Sequence, residues 1–520
     1  MIALLVAIYV PLVLEISHLK PLWHDELYTL FIARASSVRE MWDLARIYDL
    51  NPPLPFLLTR ASYRLLGVNT LATRLPEMIG FLAALLCLFA IVRRRMGVLY
   101  GLFAAYLLMA SVMFQLAAEA RPYGLMYGFF LAAVLCWQRS AELSVMHRWR
   151  WLIALSLALA CLFLSHVFGA VAAATLVGAE FVRAISRRRV DWPMLAALAI
   201  PFGVTALYAP LFQNHHTAIY PASFVPGPAM LLQFYAYSMR QEFLIAVLTL
   251  MAVILSLSRH QISLARPSAG PRWSFTPAEC FLLAGVLALP LALMLLLMHS
   301  HGAFYVRYGS IANFAFAPIV AALLGGITLR SINGGRKLDP RVALLGCIVA
   351  ICASDAPMLI PRGIADGGIL PTPLHGEPRL LPCDACAKTA ALDPSLPLVE
   401  ASGLVFVEMS YRENDATLSR LYYLTDSDAS ARIAHANIFE RMPAVVDAFH
   451  LHSHSEAYAA FTAQHRHFFV LGKMDYPEDW LLPKLKEDGA TLKLLGQMRD
   501  DYWRTTELYE VTLPNAPVAH

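Results

Sequence analysis

Charge is what this chain has least of. Only 15% of its 520 residues are Asp, Glu, Lys or Arg, while 58% are hydrophobic. Soluble domains carry about a quarter charged residues, so the bulk of this chain is not a soluble globular protein. The net charge of +4 is too small for a nucleic-acid-binding surface. Cysteine is sparse as well, with eight in all. Cys87, Cys136, Cys161, Cys280, Cys347 and Cys352 fall in apolar runs and read as packing residues. Cys383 and Cys386 form a C-x-x-C with too few neighbouring ligands for zinc and no thioredoxin-like pattern around it, so a local disulfide is the reading. No internal repeat is present.

What the chain does have is apolar length, with a mean hydropathy of +0.55. Runs of roughly twenty apolar residues can cross a bilayer as helices. Such runs lie near 2–17, 76–92, 98–116, 122–138, 151–166, 167–182, 193–210, 242–258, 279–298, 310–328 and 342–360, about eleven spans. The first lacks a basic start and a small-residue cleavage site, and is read as an uncleaved helix.

Lys and Arg of short loops mark the cytoplasmic side. One alternating set of loops holds Arg93-Arg94-Arg95, Arg139, Arg148, Arg150, Arg183, Arg187-Arg188-Arg189, Arg259, Arg266, Arg272, Arg330, Arg336, Lys337 and Arg341. The opposite short loops hold Arg121, Arg240 and Arg307. The expected fold is therefore mainly α, a multispanning helical membrane domain over 1–360 with its N-terminus inside. A long outer loop spans 18–75, with helical pieces at Glu26–Ala35 and Leu54–Leu66. A Pro- and Gly-rich linker covers 361–400. Residues 401–520 are expected to form a small extracytoplasmic α/β domain. Its strands are read at Leu404–Val407, His467–Leu471, Thr491–Leu495 and Leu508–Leu513, and its helices at 437–449, 455–465 and 478–488.

The chemistry-bearing residues fall on the outer side. Asp25-Glu26 follows the first span, and carboxylates beside lipid point to function. Two readings stand for Asp25: an N-cap of the next helix, or a general base for a hydroxyl acceptor. Glu119-Ala120-Arg121-Pro122-Tyr123 opens a later span, and Arg307-Tyr308 precedes another. Arg121 and Arg307 are either interfacial arginines or bidentate phosphate ligands. A second outer loop near Phe212–Gln241 carries His215-His216 and the aromatics Phe234, Tyr235 and Tyr237, read as headgroup-level residues or as a gate. No cofactor is required. A divalent cation is the open option, with Asp25, Glu26 and His24 as ligands. His166, His215, His216, His299 and His301 are scattered on the same side. His450-Leu451-His452-Ser453-His454 reads as a surface helix end or loop.

Taken in order, Asp25-Glu26, Asn51-Pro52-Pro53-Leu54, Arg74-Leu75-Pro76, Glu119-Ala120-Arg121-Pro122-Tyr123 and Arg307-Tyr308 form a pattern. It resembles the GT-C superfamily of membrane glycosyltransferases, in its bacterial branch similar to protein mannosyltransferases and aminoarabinose transferases. The resemblance runs over residues 1–330. It implies an inverting transfer from a polyprenyl-phosphate-linked sugar, in membrane lipid, to a glycan, lipid or protein acceptor, with no nucleic acid involved. Asp25 matches the base and Glu26 its acidic neighbour. Glu119, Arg121 and Tyr123, with Arg307, match a donor-phosphate site. Asn51 departs from the His or Lys that often precedes the Pro-Pro of this superfamily. The competing classes are a transporter or flippase of a lipid-linked glycan, which tends to place charges at mid-membrane, and a non-catalytic scaffold.

Overall fold

The computed structural model describes residues 2–49, 51–109, 111–142, 147–212, 226–238, 262–264, 275–299, 302–326, 329–331, 391–474, 476, 479–499 and 505–514. The expected spans at 242–258 and 342–360, residues 361–390 of the linker, and Cys383-Cys386 lie outside these residues.

The chain opens with α1 (Ile2–Leu19), then α2 (His24–Ala33), α3 (Val38–Tyr48) and α4 (Leu54–Leu66). The bundle continues with α5 (Thr70–Met96), α6 (Val98–Met109), a 3₁₀ turn at Val112–Ala118, α7 (Tyr123–Ser140), α8 (Arg148–Ser165) and α9 (Gly169–Arg187). Next come α10 (Trp192–Ala199), running on as a 3₁₀ helix to Phe212, then α11 (Pro228–Ser238) and α12 (Pro277–His299). After these follow α13 (Val306–Gly309) and α14 (Asn313–Gly326), with short antiparallel strands β1 (Ile262–Leu264) and β2 (Leu329–Ser331). Among the described residues, α5, α8, α9 and α12 are each long and apolar enough to cross a membrane, and three apolar stretches are shorter: Ile2–His18, Tyr100–Met109 and Trp192–Leu207. The protein is a multi-pass membrane protein, mainly helical.

Small residues decide how closely α5 and α7 approach. A Cβ on Gly124 would sit 2.2 Å from the Glu77 carbonyl oxygen, and one on Gly128 would sit 2.5 Å from that of Gly80. The Gly124-x-x-x-Gly128 spacing lets two backbones touch, as is common where lipid gives no hydrophobic drive between helices. Glu77, buried in α5, accepts the Leu125 N–H at 2.9 Å and so satisfies a donor of the first turn of α7.

The two ends of the bundle differ in charge. At one end Arg94 pairs with Glu142 (2.5 Å), Arg95 with Glu279 (2.8 Å), and Arg148 and Arg183 with Asp191 (2.5 and 2.7 Å). This joins the ends of α5, α7, α8, α9 and α12 that carry the described arginine-rich loops. Asp25, Arg121 and Arg307 sit at the other end. Of the described cysteines, Cys136 is buried as expected, while Cys280 is exposed on α12.

The C-terminal segment builds a six-stranded sheet: β3 (Leu398–Glu400), β4 (Leu421–Thr425), β5 (His454–Ala457), β6 (His467–Gly472), β7 (Thr491–Arg499) and β8 (Thr505–Thr512), in order β5-β4-β3-β6-β8-β7. The first four in that order pair in parallel, and β8 and β7 add antiparallel. Helices Met442–Phe449, Tyr458–Gln464 and Leu481–Glu487 lie close to their expected places, and Gly489 follows the last with φ +78°. One expectation is corrected. Leu404–Val407 is not a strand but part of helix α15 (Gly403–Arg412). The helix buries Gly403 and then Phe406, Val407, Glu408, Met409 and Ser410 without a break, not the alternation of a half-buried strand. The strand lies just ahead, in β3, before the expected boundary at 401.

Residues 18–75 are not a free loop. Leu22, Leu27, Leu30, Met41 and Phe56 share one hydrophobic core with Leu398, Phe406, Leu421 and Phe469. The α2–α4 layer is thus wedged between bundle and sheet. Its second face meets the end of the bundle where α5 and α7 begin.

Candidate functional site

The site is built on the first turn of α2. Trp23 is its N-cap, so Asp25 lies inside the first turn rather than capping it. Asp25 and Glu26 point to different neighbours, as adjacent residues on a helix must. Asp25 meets Arg307 (Nη2 to Oδ2, 2.7 Å), Arg121 (Nε to Oδ2, 3.8 Å) and His24 (Nε2 to Oδ1, 3.3 Å). Burial works against its charge, but Arg307, Arg121 and His24 outweigh it and hold the carboxyl well below the usual carboxylate range.

Glu26 is fully buried. Its carboxylate accepts from Arg74 Nε (2.7 Å) and Nη2 (2.6 Å), from the Ala120 N–H (2.7 Å) and from the Trp23 N–H (3.3 Å). Arg74 donates in addition to the carbonyls of Ser17 (2.9 Å), Lys20 (2.7 Å) and Pro21 (2.9 Å). All five guanidinium donors are thereby used. The Arg-Leu-Pro signature of the sequence is the anchor for Glu26.

Arg121 donates to Asp49 Oδ2 at 2.6 Å and is oriented there by α7, whose first residue follows Pro122. Asp49 is held in turn by Asn51, whose N–H and side-chain amide both donate to Oδ1 (2.9 and 2.6 Å). Asn51 therefore carries a definite task beside its Pro-Pro, and Asp49 is a site residue that sequence reasoning missed. Its only signal was an acid just ahead of Asn51-Pro52-Pro53. Arg307 lies over the rings of Trp23 and Tyr305, at 5.0 and 4.9 Å from their centroids. Glu119 pairs with Lys20 rather than with Arg121. Tyr123 is buried, with its ring 5.3 Å from that of His166.

Three N–H groups of this cluster, Arg121 Nε, Arg307 Nε and Trp23 Nε1, are buried and have no hydrogen-bond partner among the described residues. Buried donors without acceptors are costly, and here they flank two guanidiniums. The arrangement suits an anion. Among the described residues no three His, Cys, Asp or Glu side chains converge as metal ligands. His452 faces Asp415 at 3.5 Å on the surface, while His215, His216 and His301 lie outside the described residues. On the far flank, Phe234 of α11 is buried against Phe304, and the Tyr235 hydroxyl donates to the Leu287 carbonyl at 2.6 Å.

The family described as dolichyl-phosphate-mannose-protein mannosyltransferase matches residues 50–208. Two solved structures of ArnT from Cupriavidus metallidurans, one bound to undecaprenyl phosphate and one in the apo state, are also similar. Each has a TM-score of 0.52 at 14% identity, over 98% of this chain and 97% of that one. No curated protein sequence matches. The chain shares the fold of these two ArnT structures. The resemblance carried by the ordered motifs thus stands on the fold as well as on the residues. In this chain Asp25, Arg121 and Arg307 meet, Glu26 is set behind them with Arg74, and Glu119 stands to one side with Lys20.

Proposed function

We propose that this protein is an inverting membrane glycosyltransferase. It takes a sugar from a polyprenyl-phosphate donor to a hydroxyl acceptor, at the outer face of the plasma membrane. The observation that carries the reading is the convergence of Arg121 and Arg307 on Asp25, with buried N–H groups left to donate to an anion. A phosphate entering there takes guanidinium donors that Asp25 holds in its absence. Two consequences follow. The arginines stabilise the negative charge that develops on the leaving phosphate. Asp25, deprived of part of its cationic support, becomes more basic at the moment a base is needed. It removes the acceptor proton as the hydroxyl attacks the anomeric carbon opposite the phosphate. Glu26 and Arg74 hold the helix that presents Asp25, and Glu119 with Lys20 and buried Tyr123 frame the phosphate side. The likeness to ArnT, solved with undecaprenyl phosphate, supports a lipid-linked donor. The prenyl chain remains in the bilayer, which accounts for a reaction centre at the end of a helical bundle.

Purified protein assayed with a panel of polyprenyl-phosphate sugars should turn over at least one of them. Arg121→Ala and Arg307→Ala should each lower donor affinity by about tenfold or more, the ordinary weight of a lost charge-assisted pair. Arg121→Lys should fall between, since it keeps charge without the fork. The defect should not depend on the acceptor offered. Unchanged donor affinity in both alanine variants would place the phosphate elsewhere.

The sidedness has its own test. The α2–α4 layer and the C-terminal sheet share a core, so both lie on one side of the membrane, and the scarcity of Lys and Arg in the short loops of that side supports the outer one. Single cysteines at Ser37 and at Ser427 should both react with an impermeant thiol reagent in intact cells, in a background free of accessible native thiols. Labelling of only one would overturn the topology.

A further inference from the structure

We infer that Glu408, delivered by the C-terminal unit, is a positioning residue for the transfer step. It fixes His24 and the first turn of α2 so that Asp25 is held ready for the acceptor. The inference rests on the function proposed above.

Helix α2 starts without a side-chain cap from its own N-cap residue, Trp23. The acceptor comes from a residue far along the chain. Glu408 Oε1 accepts the His24 backbone N–H at 2.9 Å, and the same oxygen lies 3.4 Å from His24 Nδ1. The other ring nitrogen of His24, Nε2, lies 3.3 Å from Asp25 Oδ1. The imidazole is therefore bracketed by Glu408 on one side and Asp25 on the other, and each carboxylate restrains the ring from one nitrogen. A negative group at a helix N-terminus is also favourable toward the exposed N–H groups of the first turn. One turn on, Arg412 donates to the Leu22 carbonyl. Helix α15 thus grips residues 22–24 at two points, immediately before Asp25.

The plainer reading is a packing residue of α15. Its neighbours Phe406, Val407 and Met409 are apolar and buried, and Glu408 itself is only 2% exposed. A carboxylate is a poor choice for mere packing, because its desolvation must be offset by specific partners. Here those partners are groups of α2 next to the reaction centre. Glu408 Oε2 is buried and has no hydrogen-bond partner among the described residues, so this side chain is not placed to maximise its own hydrogen bonding. Its placement is explained by what it holds.

The test uses the full-length protein in detergent or nanodiscs, with Glu408→Gln, Glu408→Asp and Glu408→Ala beside Asp25→Asn. Gln keeps the shape and an oxygen for the His24 N–H but removes the charge. Glu408→Gln should lower kcat about 10- to 100-fold, the usual effect of removing an orienting outer partner. Donor KM, and affinity for undecaprenyl phosphate alone, should stay within about twofold, and the melting temperature should be unchanged. Asp should recover part of the loss. Three results would overturn the inference. In the first, the Gln variant keeps its kcat while Asp25→Asn is inactive, which leaves Glu408 a packing residue and the function intact. In the second, the loss in Gln is matched by weaker binding of undecaprenyl phosphate. In the third, Asp25→Asn itself keeps turnover, which removes the proposed function and this inference with it. If the alanine variant does not fold, Gln and Asp decide the matter alone.

Discussion

Glu26→Gln should destabilise the protein by about 3–5 kcal/mol, the loss expected when one partner of a buried ion pair is removed. Both Glu26 and Arg74 are 0% exposed. The pair is bidentate, and Arg74 spends its remaining donors on three carbonyls at the end of α1, those of Ser17, Lys20 and Pro21. Glutamine keeps the volume but leaves a buried guanidinium without its counter-charge, and its amide places an N–H against the Ala120 or Arg74 donors. The substitution therefore acts on the junction of α1, α2, α5 and the segment before α7 together. It should be read as a fall in melting temperature in detergent, measured apart from activity. Arg74→Met should lose a comparable amount. The double variant Glu26→Leu with Arg74→Met should recover part of both losses, because apolar replacement of an entire buried pair is often tolerated. Single variants that melt with wild type would show that the pair is not what ties these segments together. This places Glu26 apart from Asp25, although the two are neighbours in sequence. One is spent on holding the scaffold, and the other faces Arg121, Arg307 and His24, where the proposed function puts the chemistry.

That division was not legible in the sequence. Asp25-Glu26 pointed to a site, and the scarcity of arginine in one set of loops singled out Arg121 and Arg307, which the structure brings together at Asp25. The pairing inside the group depends on rotation about α2, which places successive side chains about 100° apart, and on partners up to hundreds of residues away. Helices with strong punctuation were readable. Leu54–Leu66 matches its expectation residue for residue, because Pro53 starts it and Gly67 ends it with φ +73°. Helix α3 was passed over. Its signal was present: Met41, Leu44, Ala45 and Tyr48 recur at helical spacing on the face that packs on the core, and Ser37 caps it by accepting the Glu40 N–H at 3.1 Å. Leu404–Val407 was misread because a short apolar run has no visible period. The error concealed Glu408, since only the helix turns that residue toward His24. Asp49 was hidden for a similar reason: an acid three residues before Pro-Pro carries no pattern until the fold brings Arg121 to it.

Asp25→Asn should lower transfer by about two to four orders of magnitude, the range of a lost general base, and should leave donor binding intact or stronger. The second half of the expectation distinguishes a base from a scaffold residue. Asp25 holds Arg307 and Arg121 at 2.7 and 3.8 Å. The donor phosphate, on the reading above, must compete with it for them. Asparagine retains the size of aspartate but removes the charge, so both arginines are released to the anion. Undecaprenyl phosphate should then bind at least as tightly as to the wild type. A purely structural Asp25 predicts the reverse: a disturbed pocket, weaker binding, and a loss of activity that more donor restores. Loss of kcat at saturating donor, together with preserved affinity for undecaprenyl phosphate, is the signature of a group needed only in the transition state. Turnover near wild type would remove Asp25 from the chemistry. A loss confined to KM would make it part of the donor site, with the base to be sought elsewhere.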